Sequence, residues 1–304
     1  MTQFPEIKAE IQFITKENEV ELYILREDKI HPTISGNKFR KLKYNLIEFQ
    51  KGNYDSILTF GGAYSNHISA VAAAGKEFGF KTIGIIRGEE ISTKIKENPT
   101  LTFAQNCGME LHFISREDYR KKNEPDFIQN LKTQFGNFYL LPEGGTNELA
   151  VKGCDEILGS HTCEFDFICC SIGTGGTISG LINSSENHQK IIGFPALKDS
   201  HFLENEIKNF SSRSNWELVS GFHFGGYAKV NNELLDFIND LKSRFDVNLE
   251  PVYTGKMFFG IFELIRNNHF PKESKVLAVH TGGLQGIDGM NKKLELKNKT
   301  ILKR

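Results

Sequence analysis

The 304-residue sequence carries no excess of charge of either sign, with 37 lysines and arginines against 38 aspartates and glutamates. A near-zero net charge leaves no basic footprint for DNA or RNA, so no nucleic-acid partner is expected. No apolar run approaches the roughly eighteen residues of a membrane span, which argues against a membrane role. The opening segment "MTQFPEIKAEIQFITKENEVELYIL" lacks a basic stretch followed by an apolar core, so no secretory signal is expected. Cysteines are few: Cys107, Cys154, Cys163, Cys169 and Cys170 make an odd set without metal-ligand spacing. Cys169 and Cys170 lie inside "FDFICCSIG" and read as small buried hydrophobes. Internal repeats and low-complexity linkers are also missing. These absences describe a soluble, reduced, cytoplasmic protein without a metal site, of a length that suits about two domains.

What the chain does have is alternation. Short β-rich runs at 20–28, 54–62, 81–88, 109–115, 137–145, 165–172, 189–197 and 274–283 are separated by helical stretches. The Ala-rich segment "NHISAVAAAGKEFG" at 66–79 reads as a helix that stops at Gly79. Near-continuous apolar strands alternating with helices predict an α/β fold whose parallel sheets are covered on both faces. Several strands run into glycines: Gly61-Gly62, Gly144-Gly145, Gly173 to Gly176, and Gly282-Gly283. Ligands of open parallel sheets bind at the carboxyl ends of strands, so four such loops predict one shared cleft. The charged end "KKLELKNKTILKR" reads as a solvated tail.

The densest of these loops is "SIGTGGTISG" at 171–180. Glycines there can take positive φ, Thr174 and Thr177 offer hydroxyls, and the following helix points its N-terminal dipole at the loop. Together they suit a phosphate, although a tight strand-to-helix turn without a ligand is the plainer alternative. The loop lacks the Gly-Lys-Ser/Thr ending of a nucleotide P-loop. It also lacks dinucleotide spacing, because Ile178 stands where the third glycine would be needed. A nicotinamide-dependent oxidoreductase is therefore disfavoured, and a single small phosphate monoester fits.

Residues 34–46, "ISGNKFRKLKYNL", put Lys38, Arg40, Lys41 and Lys43 directly behind a Ser-Gly-Asn turn. A solvated basic helix start would explain them. So would a lysine held for covalent chemistry, since lysine forms a Schiff base with an aldehyde cofactor when burial or nearby cations lower its pKa. Arg40 and Lys41 would push Lys38 in that direction. On a helix Lys38 and Lys41 share a face, so one could be covalent while the other meets a phosphate. In "GGAYSNHISA" (61–70), Ser65 and Asn66 stand where strand becomes helix, either as simple caps or as polar groups of the same cleft. His67 reads as support for that helix start, and His280 as a satisfied buried histidine.

Taken as a set, "SGNKFRKLKYNL", "GGAYSNH", "PEGGTN", "GTGGTISG", "YTGK" and "HTGG" resemble the pyridoxal-phosphate enzymes of the 1-aminocyclopropane-1-carboxylate deaminase / D-cysteine desulfhydrase family. The match runs in the family's motif order from roughly residue 20 to 290. The resemblance implies two parallel-sheet three-layer domains like the tryptophan synthase β-subunit (fold type II), and a homodimer. A larger cofactor-binding domain is expected from 1–44 and 157–304, with a smaller inserted α/β domain at 45–156. It implies pyridoxal 5'-phosphate bound covalently through Lys38, with Lys41 near its phosphate and Asn66 on its phenolic oxygen. Gly173, Thr174, Gly175, Gly176 and Thr177 would cradle the phosphate. Ser65 would meet the substrate carboxylate or act on a proton at the reacting carbon, and Tyr227 and Tyr253 match the family's two active-site tyrosines. As residues alone, both tyrosines could be packing groups.

Thr254 and Thr281 resemble the D-cysteine desulfhydrase side of the family, where the deaminases have Glu and Leu. A hydroxyl beside the pyridine nitrogen leaves it neutral, which suits rapid loss of a β-leaving group. The expectation is α,β-elimination from a small amino acid, D-cysteine first, with the cyclopropane amino acid as the alternative substrate. A non-catalytic carrier of the cofactor would need the lysine and the cradle, but not Ser65 and both tyrosines. Ser35-Gly36 replaces a frequent glycine pair, Ala63-Tyr64 replaces Ile-Gln, and "YAKV" lacks a usual proline.

Overall fold

Ten strands appear among residues 7–304, the part that a computed structural model of the chain describes. They are β1 (Ile11–Glu17), β2 (Val20–Leu25), β3 (Ser56–Gly61), β4 (Lys81–Arg87), β5 (Glu110–Ile114), β6 (Phe138–Leu141), β7 (Phe167–Ile172), β8 (Lys190–Pro195), β9 (Trp216–Leu218) and β10 (Lys275–Val279). The helices are α1 (Asn37–Lys51), α2 (Asn66–Phe78), α3 (Pro99–Asn106), α4 (Arg116–Arg120), α5 (Pro125–Phe135) and α6 (Glu148–Cys154). They continue with α7 (Gly176–Ser184), α8 (Phe202–Phe210), α9 (Asn232–Phe245), α10 (Thr254–Arg266) and α11 (Gly286–Glu295). A six-stranded sheet has the order β1-β2-β10-β7-β8-β9, and a four-stranded sheet the order β5-β4-β3-β6. All pairings are parallel except β1 with β2.

Each sheet is covered twice, which is why its strands are apolar on both faces. Cys169 packs with Leu234, Ile238, Phe258 and Ile261 of α9 and α10, whereas its neighbour Cys170 packs with Ile178, Leu181, Leu203 and Ile207 of α7 and α8. In the smaller sheet, Ile57 and Ile86 meet α1, α2 and α3, while Leu58, Phe60, Ile83 and Ile85 meet α4 and α5. Period-two alternation thus divides each strand between two helical layers.

Strand order places the site. In the smaller sheet β3 and β6 are adjacent, but the chain leaves β3 toward β4 on the other side. The same reversal separates β7 from β10 in the larger sheet. Loops after strands that diverge in this way leave a crevice, and these four strands end in the four glycine loops.

Several elements depart from the sequence reading. Strand β1 was not expected, because its inner and outer positions differ little in polarity. It pairs with β2 through a two-residue turn at Asn18 and Glu19, both in the left-handed region (φ 50° and 64°), as a hairpin of this hand requires. The run at 20–28 ends its strand at Leu25, and that at 137–145 at Leu141. The charged C-terminus is exposed along most of its length, as expected, but past α11 it is pinned to the core at one residue. Leu302 is 2% exposed, and its backbone is bonded in both directions to the Asn291 side chain, at 2.8 and 2.9 Å. The first six residues of the expected larger domain lie outside the described residues.

Candidate active site

The basic segment opens α1, and helix geometry sorts its cations. Gly36 precedes the helix at φ 65°, and a Cβ there would stand 2.0 Å from the Thr281 carbonyl oxygen. Only glycine can bring this turn against the end of β10, where Asn37 N donates to that oxygen at 3.2 Å. Lys38 and Lys41 face the cleft, and both Nζ atoms donate to Gly144 O at 3.2 Å. Arg40 turns away and makes a buried two-point pair with Glu27, at 2.8 and 3.0 Å. Lys43 pairs with Glu156 at 2.6 Å. Burial, followed by the charge of Lys41, holds the Lys38 amine well below its usual pKa. The contribution expected from Arg40 is absent, since its charge lies on the opposite face and is already matched.

Facing these lysines is the loop between β7 and α7. Thr174 and Thr146 hydroxyls lie 2.6 Å apart, Lys41 Nζ donates to Thr146 Oγ1 at 2.8 Å, and Asn37 Nδ2 donates to Thr177 Oγ1 at 2.8 Å. Of the loop's glycines only Gly175 uses positive φ (83°). Gly173 and Gly176 are needed for room: side chains there would meet the Tyr253 ring at 3.1 Å and Thr146 at 2.8 Å. The first N–H groups of α7 open onto the same space. Among the described residues neither Lys38 nor Lys41 has a carboxylate partner, so two lysine amines, hydroxyls and a helix start converge without an anion.

Across the cleft, Ser65 caps α2, its Oγ accepting from Ile68 N at 3.3 Å. Asn66 Oδ1 accepts from Gln285 at 3.2 Å, and its amide nitrogen is turned toward Gly283. His67 is 2% exposed. Its Nε2 bonds Thr59 Oγ1 at 2.8 Å, and that hydroxyl donates to Leu141 O. The proton must therefore sit on Nε2, leaving Nδ1 as a buried acceptor with no partner among the described residues. His280 instead has both nitrogens engaged, by Asn248 O and Gly282 N.

Tyr227 and Tyr253 meet edge to face with ring centroids 6.0 Å apart. Burial raises the Tyr253 phenol pKa well above its usual value; Tyr227 lines the cleft but stays 47% exposed, and partial loss of water raises its phenol pKa less. Thr281 Oγ1 lies 3.3 Å from Ser171 Oγ, at the paired ends of β10 and β7. Thr254 does not line the cleft; it is fully buried, with its hydroxyl against Glu250.

Sequence reasoning missed Asn37, Thr146, Ser171 and Glu250. Glu250 lines the cleft and is 2% exposed, and its carboxylate accepts the N–H groups of Val252, Tyr253 and Thr254 at 2.6 to 2.8 Å. Its position four residues before Thr254 in "EPVYT" is a helix-start signal that could have flagged it.

The cleft encloses about 980 Å³ between the two sheets and takes in all four glycine loops. Its size and the anion-free cationic cradle fit a phosphorylated aldehyde cofactor beside a small substrate. Residues 7–282 match the family model described as "Pyridoxal-phosphate dependent enzyme". A Thermotoga maritima protein provisionally named 1-aminocyclopropane-1-carboxylate deaminase is 32% identical over 93% of this chain and 96% of its own. The mitochondrial bifunctional D-cysteine desulfhydrase/1-aminocyclopropane-1-carboxylate deaminase of Arabidopsis thaliana is 28% identical over 89% of this chain and 74% of its own. The crystal structure of an ACC deaminase homologue superposes with a TM-score of 0.78 at 26% identity, covering 93% of both chains. With its cofactor pyridoxal phosphate and its sheets in the fold type II arrangement, this chain belongs to the pyridoxal-phosphate-dependent enzymes, in the 1-aminocyclopropane-1-carboxylate deaminase / D-cysteine desulfhydrase family.

Proposed function

We propose that the protein eliminates the β-substituent of a small amino acid, with D-cysteine as substrate, giving pyruvate, ammonia and hydrogen sulfide. One observation carries the reading: the Thr281 hydroxyl beside Ser171 faces the cleft, while the nearby Glu250 carboxylate is occupied by three backbone N–H groups. The cofactor, when bound, draws electrons from the substrate's Cα, and a hydroxyl environment for its ring nitrogen favours fast expulsion of a leaving group.

The chain's own residues supply the remainder. Lys38 would hold the cofactor covalently and, once the substrate amine displaces it and leaves it free as a neutral amine, would take the Cα proton. Lys41, Thr174, Thr177 and the start of α7 hold the phosphate, and Asn66 orients the ring through its phenolic oxygen. The Ser65 hydroxyl donates to the substrate carboxylate at the start of α2, where the helix dipole favours an anion. Tyr227 and Tyr253, both with phenol pKa values raised above the usual one, donate to the departing group. A cofactor carrier without turnover would not need that tyrosine pair.

We also propose the domain division at 1–44 with 157–304 and at 45–156; the four-stranded sheet draws all its strands from within 56–141, which supports it. A homodimer in the cytoplasm completes the reading, and five free cysteines accord with a reducing compartment. Among the described residues no helix is long and apolar enough to cross a membrane. Incubating the cofactor-loaded protein with D-cysteine should release sulfide and pyruvate in equal amounts. A keto acid formed only from 1-aminocyclopropane-1-carboxylate, with no sulfide from D-cysteine, would reverse the substrate assignment.

A further inference from the structure

One buried ammonium has no part in the reaction described above. Lys256, in the first turn of α10, is 2% exposed, and its Nζ donates to His223 O and Gly226 O, each at 2.8 Å. No carboxylate lies within ion-pair distance of it among the described residues. Glu250 is the nearby charge that favours its protonated form against burial.

Both carbonyls belong to the loop that presents Tyr227. His223 O also accepts from Gly226 N at 3.0 Å, and Gly226 O from Lys229 N at 3.2 Å. Two consecutive turns, 223–226 and 226–229, are therefore gathered at one cation, and Tyr227 sits in the second. The backbone between them is strained: Phe224 and Ala228 hold φ of 52° and 55°, and Gly225 and Gly226 hold 90° and 117°. Left-handed conformations at residues other than glycine persist only where the surroundings impose them. The loop has no regular strand or helix of its own. Phe222 and Phe224 pack its first half on the core, and His223 Nδ1 accepts from Gly225 N at 3.0 Å. The carbonyls on either side of Tyr227's turn are gathered by a charge-assisted pair of hydrogen bonds from the residue three positions after Tyr253.

We propose that Lys256 is a latch, a positioning residue whose ammonium holds the 221–229 loop in the conformation that sets Tyr227 against Tyr253 over the cleft. Both tyrosines thus depend on one helix start: Glu250 takes the Tyr253 backbone, and Lys256 fixes its partner two residues beyond the turn. The inference rests on Tyr227 being placed at the reacting site, but its test does not depend on which amino acid is turned over.

Hydrogen exchange of the whole protein, with cofactor bound, measures the latch directly. Lys256→Met, which keeps the side-chain volume but no donor, should raise exchange at the amides of 224–229 at least tenfold and leave peptides of β7 and β8 unchanged. Unchanged exchange in the loop overturns the proposal. On whichever amino acid the enzyme turns over, Lys256→Met should lower kcat as far as Tyr227→Phe does, and the double variant should be no worse than either. Losses that multiply also overturn it. Should the Met variant not fold, the wild-type protein still decides: Lys256 acylation by an amine reagent should run no faster than loop exchange, and labelling as fast as an exposed lysine rules the latch out.

Discussion

Lys41 shows how little of a residue's role lies in its own chemistry. Its ammonium is 2% exposed, beside Gly144 O and the Thr146 hydroxyl, with no carboxylate to balance it. A buried cation without an anion is costly, and a phosphate dianion would turn that cost into affinity. Lys41→Met should therefore weaken cofactor binding by roughly tenfold to a hundredfold, the equivalent of about 1.5–3 kcal/mol for a hydrogen bond to a charged group. Visible absorbance during cofactor titration measures this, and unaltered affinity would remove Lys41 from the phosphate. The residue types at 38, 41, 65, 66 and 174 to 177 were readable as a candidate site from local spacing. Glu250 and Thr146 were not, because a lone carboxylate and a lone threonine acquire meaning only from what folds against them. Thr254 shows the converse: adjacent to a cleft tyrosine in sequence, it spends its hydroxyl on Glu250.

Helix ends decide charge placement at the next scale. The 100° step of α1 sends Lys38 and Lys41 one way and Arg40 the other, so a cluster of four basic residues becomes a two-lysine site and two structural ion pairs. Asp155, at the C-terminal cap of α6, illustrates a carboxylate in the wrong place for its charge. Burial first, with the Glu156 charge adding to it, raises its pKa to about 6, and the Asn183 side chain only partly opposes this. The negative end of the helix dipole acts in the same sense. A carboxyl with a folded pKa above its unfolded value binds protons more tightly when folded, so its ionised form costs stability above about pH 6. Asp155→Asn should thus raise Tm at pH 7.5, with the gain fading as pH falls toward 4. Thermal unfolding at both pH values tests this; an equal gain at both would show that charge is not the cause.

At the scale of the molecule, the site exists because two sheets reverse strand order at the same crevice. β3 and β6 of one sheet and β7 and β10 of the other each deliver a glycine loop, drawn from positions 61 to 283 of the chain. The far end of the chain is held as firmly. Leu302 is buried with α9 and α11, and Asn239 and Asn291 bond the backbone on either side of it. Leu302→Ala should cost about 2–5 kcal/mol, as large-to-small substitutions in a core do, and urea unfolding would record it. A loss of only a few tenths would mean that the terminus frays in solution.

The amino-acid sequence by itself determined the local terms: apolar strands that demand cover on both faces, glycines where backbone must approach a ligand, a lysine pair on one helical face, and a capped helix after Gly61-Gly62. Period and spacing act over a few residues, so they are legible without a fold. Only the tertiary structure decided which cations are paired and which face the cleft, that Glu250 stands behind the tyrosines, that Lys256 reaches the Tyr227 loop, and that Leu302 pins the charged C-terminus to the core. Those outcomes depend on contacts between residues far apart in the chain, where burial strips away water and leaves each polar group dependent on whatever partner the fold supplies.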